Sequence, residues 1–174
     1  MKNKTKWILT VFILSFILSV LFSAISTAMT NNFHTIVLVF VILLVIGIGI
    51  LFDMIGVAVL TCKESNLHAK AAKKMKGAKQ AIALIKNSTK VSSVCNDVIG
   101  DICGIVSGSL GAALTLDIAG VINISTVILT VIITAIISSL TVGFKAIFKD
   151  IAEINSDTIV YTAGKVLSIF KKEK

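Results

Sequence analysis

Proline and arginine are both absent from the 174 residues of this chain. Its basic charge is lysine's alone, and the formal net charge is +8. A basic chain invites a nucleic-acid reading, which needs basic residues clustered on one face. Here the lysines stand in short segments flanking apolar runs, with no aromatic–basic interleaving, so no nucleic-acid partner is expected. Cysteine is scarce. Cys62, Cys95 and Cys103 make an odd count with no C-x-x-C spacing and no His–Cys set, so no zinc site is indicated and they read as small buried thiols. Catalytic signatures are also missing: there is no Gly-x-Ser-x-Gly, no His-Glu-x-x-His and no phosphate loop. His34 and His68 fall in segments expected on opposite sides of a membrane. No enzyme is expected.

What the chain has is apolar sequence gathered into runs. It is 56% hydrophobic with a mean hydropathy of +0.98, against about 45–50% apolar in average soluble domains. Runs near 20 residues read as spanning helices. The expected fold is all-α: a single polytopic membrane domain over residues 1–174, with spans near 7–29, 36–62, 91–116 and 124–144.

Lysines before Trp7 and a tryptophan at the edge of the first run fit a helix that starts on the cytoplasmic side. Ser15, Ser19, Ser23 and Ser26 share one face, which suits a helix neighbour. A secretory signal peptide competes, but the apolar core exceeds its usual length of about 7–15 residues, and a retained helix is preferred. His34 reads as a solvated loop residue. Gly47 and Gly49 in the second run invite close packing or a mild bend. Eight lysines fall within residues 63–90, where Leu67, Ala71, Met75, Ala78, Ile82 and Ile85 recur at helical spacing. That segment reads as an amphipathic helix, broken near Gly77, on the inner membrane surface and in contact with anionic lipid headgroups. A second amphipathic helix is expected over 156–174, with Ser156-Asp157 as its N-cap. Every lysine cluster falls on one side, which places both termini in the cytoplasm of a multi-pass cell-membrane protein.

The third run carries the unusual chemistry. Gly100, Gly104 and Gly108 recur every fourth residue and would form a smooth helical stripe, a candidate homodimer face. Asp97 and Asp101 lie beside it at the same spacing. Ionisable groups within spans are costly and usually face a bundle interior or a water-filled path. Asp53 is the only charge in the second run. Asp53, Asn96, Asp97 and Asp101, with Ser93, are therefore the candidate cation ligands. Hard divalent ions want oxygen donors, and magnesium keeps several waters while taking one or two carboxylates. The competing reading places the acids near the inner interface. Counted from Lys90, Asp97 would be roughly 10 Å deep and Asp101 about 16 Å at 1.5 Å per residue. Asp53 could likewise pair with a lysine.

Phe52-Asp53-Met54-Ile55-Gly56-Val57-Ala58-Val59, then the basic helix, then the small-residue span, resembles the transmembrane module of the CorB/CorC and cyclin-M magnesium transporters. Gly77-Ala78-Lys79-Gln80-Ala81 and Leu84-Ile85-Lys86-Asn87 stand where that family has Gly-x-x-Ala and Leu-Leu-x-x-Pro. The resemblance covers about residues 36–147. The family's acidic position falls on Gly56 and its serine on Asp53, and no CBS pair follows the module. It implies a dimer that holds Mg2+ between spans as a transported or bound ion. Two functions are therefore expected in competition: a divalent-cation transporter, and a non-transporting membrane adaptor, immunity or assembly subunit.

Overall fold

The computed structural model describes residues 2–30, 35–122 and 125–170. The loop residues 31–34, with His34, lie outside the described residues. So do 123–124 of the outer turn and 171–174 of the terminal lysine run. Among the described residues every regular element is helical. The elements are α1 (Lys2–Thr30), α2 (Thr35–Thr61), α3 (Glu64–Ala72), α4 (Ala78–Lys86), α5 (Ser88–Ser92), a π-helical segment (Ser93–Gly100), α6 (Asp101–Ile122), α7 (Thr126–Ile154) and α8 (Ser156–Phe170). Among the described residues four stretches are long and apolar enough to cross a membrane: Thr5–Ser26, Thr35–Thr61, Ser88–Gly120 and Thr126–Ile154. In lipid a helix satisfies its own backbone, which is why these β-branched runs are helical. The chain is an all-α membrane protein. The fourth helix differs from expectation at its end. It continues through Lys145 and Lys149 to Ile154, because nothing between Phe144 and Asn155 breaks it.

The helices gather into two compact units. The first comprises residues 1–50 and 98–144, the second 51–97 and 145–174. Charge divides the same way: the first unit holds only Lys2, Lys4, Lys6, Asp101 and Asp117.

In the first unit α1 packs along α6. Val11, Ser15, Leu18 and Ser19 are half-buried and Ser26 is buried, while Ser23 is exposed. The serine face is thus largely the packed one. Ile8, Phe12 and Phe16 are exposed, as lipid-facing residues would be. Gly49 lets α2 approach α6, since a Cβ there would stand 2.9 Å from Cys103 Cβ. Hydroxyls in the spans bond back to their own helix. Thr115 donates to the Gly111 carbonyl at 2.9 Å, and Thr134 and Thr141 do the same one turn back. They therefore bring no unpaired donor into lipid. Val39, Ile42, Ile46, Leu114, Ile133 and Ile137 help line a crevice of about 230 Å³. All of its lining side chains are apolar, so it offers an ion nothing.

The second unit has its own core of Ala58, Val59, Cys62, Leu67, Ala81, Ala152 and Val160. The basic segment breaks where the sequence indicated. Lys74 takes a left-handed φ of 53° and Met75 N donates to the Lys70 carbonyl at 3.2 Å, a glycine-type helix end built on lysine. Gly77, at φ 86°, then starts α4. Its apolar stripe is used inside the protein. Leu67 and Ala78 are buried, Ile82 and Ile85 pack on the core, and Met75 is left outside.

α4 lies directly on α8. A Cβ on Gly164 would stand 2.6 Å from Ala81 N, and one on Gly77 would stand 2.5 Å from Lys165 Cα. Asp157, in the first turn of α8, also reaches the start of α3. Its carboxylate accepts from Cys62 Sγ at 3.1 Å, from Asn66 Nδ2 and from the Lys63 backbone N–H. The N-cap residue of α3, Lys63, makes no side-chain cap hydrogen bond, and α8 supplies an acceptor for its backbone N–H.

Candidate functional site

The candidate ligands sit on two elements of the second unit and on α6. Asp53 lies in α2, the element whose apolar run makes any charge expensive. The carboxylate is not alone: Lys145 Nζ approaches Asp53 Oδ2 at 2.8 Å. Both side chains are largely shielded, at 27% exposure for Lys145 and 19% for Asp53. The lysine that the sequence offered only as a topology marker is thus the counter-ion of the one acid in α2.

Ser93, Asn96 and Asp97 belong to the π-helical segment. π-turns bond five residues apart and appear mostly where function or strain interrupts an α-helix. The wider turn changes which residues share a face. Asn96 turns inward, and its Nδ2 donates to buried Ser92 Oγ at 3.3 Å. Its Oδ1 is buried with no hydrogen-bond partner, pressed against Gly56: a Cβ on Gly56 would fall within the Asn96 carboxamide. Ser93 is half-buried and Asp97 is exposed. Gly56 and Lys145 are the participants that sequence reasoning did not assign. The signal for Gly56 was its position one turn after Asp53, where the resembling family is acidic.

Asp101 opens α6 and is exposed. The expected glycine stripe divides. Gly100 is buried, with its carbonyl oxygen 3.8 Å from where a Gly49 Cβ would stand, whereas an added Cβ at Gly104 or Gly108 would meet nothing within 4 Å. Asp101, Ile105, Ser109, Ala112 and Leu116 form an exposed row along α6, with Gly104 and Gly108 beside it.

No group of three His, Cys, Asp or Glu residues gathers among the described residues. Asp53 meets a lysine, and Asp97 and Asp101 face outward. The shielded oxygens among these candidates include the ion-paired carboxylate of Asp53 and the unpartnered amide oxygen of Asn96. No family model, curated protein or solved structure matches the chain.

Proposed function

We propose that this protein is a membrane-anchored assembly subunit that pairs through the open face of α6 and does not itself carry ions across. The observation that carries the reading is the outward-facing Asp101 on a helix apolar enough to span, with neighbourless Gly104 and Gly108 alongside. A carboxylate facing hydrocarbon at a helix centre costs roughly 2.5–3.5 kcal/mol on insertion scales. Covering it with another helix offsets that cost, and glycines let the partner backbone come close. A second copy of the chain is the partner. The lysine clusters favour an arrangement with both termini on the cytoplasmic side.

The test is crosslinking and energy transfer between copies in lipid bilayers. Asp101→Asn and Gly108→Leu should each weaken self-association, while Gly143→Leu, on an exposed part of α7, should not. Undiminished pairing in both α6 variants would sink the reading.

One observation favours cation binding as a second reading. Asn96 Oδ1 is a buried acceptor without a donor, in the same unit as Asp53, and the likeness to the magnesium transporters makes a divalent ion the candidate. A magnesium-dependent rise in thermal midpoint that disappears in Asp53→Asn would support it. Equal responses in parent and variant would remove it.

A further inference from the structure

From Ser65 to Asn96 there is no acidic residue, and seven lysines occur. Four of them, Lys73, Lys74, Lys76 and Lys79, are exposed at the α3–α4 turn and the start of α4. The described ion pairs involve other residues: His68 with Glu64, and Lys145 with Asp53. The nearest acid on α8, Asp157, is engaged with Cys62 and Asn66. The packing of Gly77 on α8 adds a fifth lysine, because the Lys165 backbone is seated against the turn and Lys165 is exposed.

Apolar groups stand among these charges. Met75 is 41% exposed at the tip of the turn, and Val166 and Ile169 on α8 are 49% and 76% exposed. In water that exposure is unfavourable. At a membrane surface, lysine beside exposed aliphatic side chains is the pattern of an interfacial contact.

We propose that the α3–α4 turn, together with the C-terminal half of α8, is a docking surface for an anionic phospholipid leaflet. Lys73, Lys74, Lys76, Lys79 and Lys165 meet headgroup phosphates, while Met75, Val166 and Ile169 enter the interfacial layer. Reach permits it. Two connecting residues and the nine of α3 hold the turn within about 20 Å of the end of α2. Nucleic acid fits less well, because the surface offers neither arginine for bidentate phosphate contacts nor a row of aromatics for base stacking. The partner is thus argued from charge complementarity and from the aliphatic residues between the charges. It is independent of any pairing through α6.

The full chain tests this in lipid nanodiscs, one set of phosphatidylcholine alone and one containing phosphatidylglycerol. An environment-sensitive fluorophore on Met75→Cys reports the surface, with the labelled parent as background control. The expected result is a blue shift and protection from an aqueous quencher only when phosphatidylglycerol is present, reversed by salt. Lysine-to-glutamine changes at 73, 74, 76 and 79 should remove the shift, each lysine lowering the preference about fivefold. The four-arginine variant should keep it, which separates charge from folding. Identical spectra in both lipids would overturn the proposal. So would a shift that survives the glutamine changes, or equal protection by polyuridylate in phosphatidylcholine discs.

Discussion

Cys62 and Asp157, 95 positions apart in the chain, share a hydrogen bond of 3.1 Å between the thiol and a carboxylate oxygen. The bond joins the end of α2 to the start of α8, and its chemistry sets a pH range for the second unit. Burial first, then the hydrogen bond and charge of Asp157, push the Cys62 thiol up to about 12. The same hydrogen bond holds the Asp157 carboxyl below its usual range.

The signs follow by linkage. The thiol's raised value favours the folded state below its unfolded value of 9.0, and that contribution is lost as pH climbs toward 12. The depressed Asp157 favours the folded state above the usual carboxylate range, and its contribution is lost as pH falls through its native value. Local opening of the α2–α8 junction should therefore be slowest between mild acid and pH 9. Alkylation of Cys62 reads this directly. It should be slow in the native protein at pH 8, speed up on denaturation, and speed up natively in Asp157→Asn. Rapid native alkylation of Cys62 in the parent would contradict the assignment.

Gly164→Ala should loosen α8 from α4. The new methyl would meet Ala81 N at 2.6 Å and the Gly77 carbonyl oxygen at 2.6 Å. Both are backbone atoms, so the helices must separate, and overpacking of this kind costs about 1–3 kcal/mol. Gly143→Ala is the control. It has open space around it and lies within α7, where replacing glycine by alanine gains about 0.5–1 kcal/mol. Limited proteolysis between α7 and α8 should quicken in the first variant and not in the second.

The spans were legible because twenty apolar residues in a row admit few other fates. The break near Gly77 was legible because a glycine interrupts a lysine-rich amphipathic pattern there. The site was read less well, for two physical reasons. Spacing arguments assumed an α-helix through residues 93–100, where the chain forms a π-helical segment. In that segment Asn96 packs against Gly56 while Asp97 is exposed, and Gly100, its last residue, is buried. The other reason is distance along the chain. The partners of Asp53 and Asp157 come from tertiary packing, and no local pattern marks Lys145 or Cys62 as the residue that answers each acid.

The Asp53–Lys145 pair should behave as a unit. Removing one member leaves a shielded charge without its counter-ion, which is more costly than removing both. Asp53→Asn and Lys145→Met should each lower the thermal midpoint in lipid, and the double variant should recover part of the loss. The coupling expected for contacting residues is about 0.5–3 kcal/mol. Additive losses would mean that the 2.8 Å contact contributes nothing.

Gly56 and Asn96 allow a suppressor experiment. The Asn96 carboxamide occupies the volume where a Gly56 side chain would begin, so Gly56→Ala must displace it. The displaced amide would lose its bond to Ser92 Oγ, and α2 would be forced away from the π-helical segment. Asn96→Ala alone empties that volume and removes the unpartnered Oδ1. Because an unsatisfied buried acceptor costs about 1–3 kcal/mol, its removal offsets part of the lost packing. The pair of changes together should therefore be more stable than Gly56→Ala alone, since the alanine methyl fills the space that the carboxamide has left. Thermal midpoints of the three variants in one lipid composition decide it. A double variant less stable than Gly56→Ala would show that the two residues do not compete for the same space.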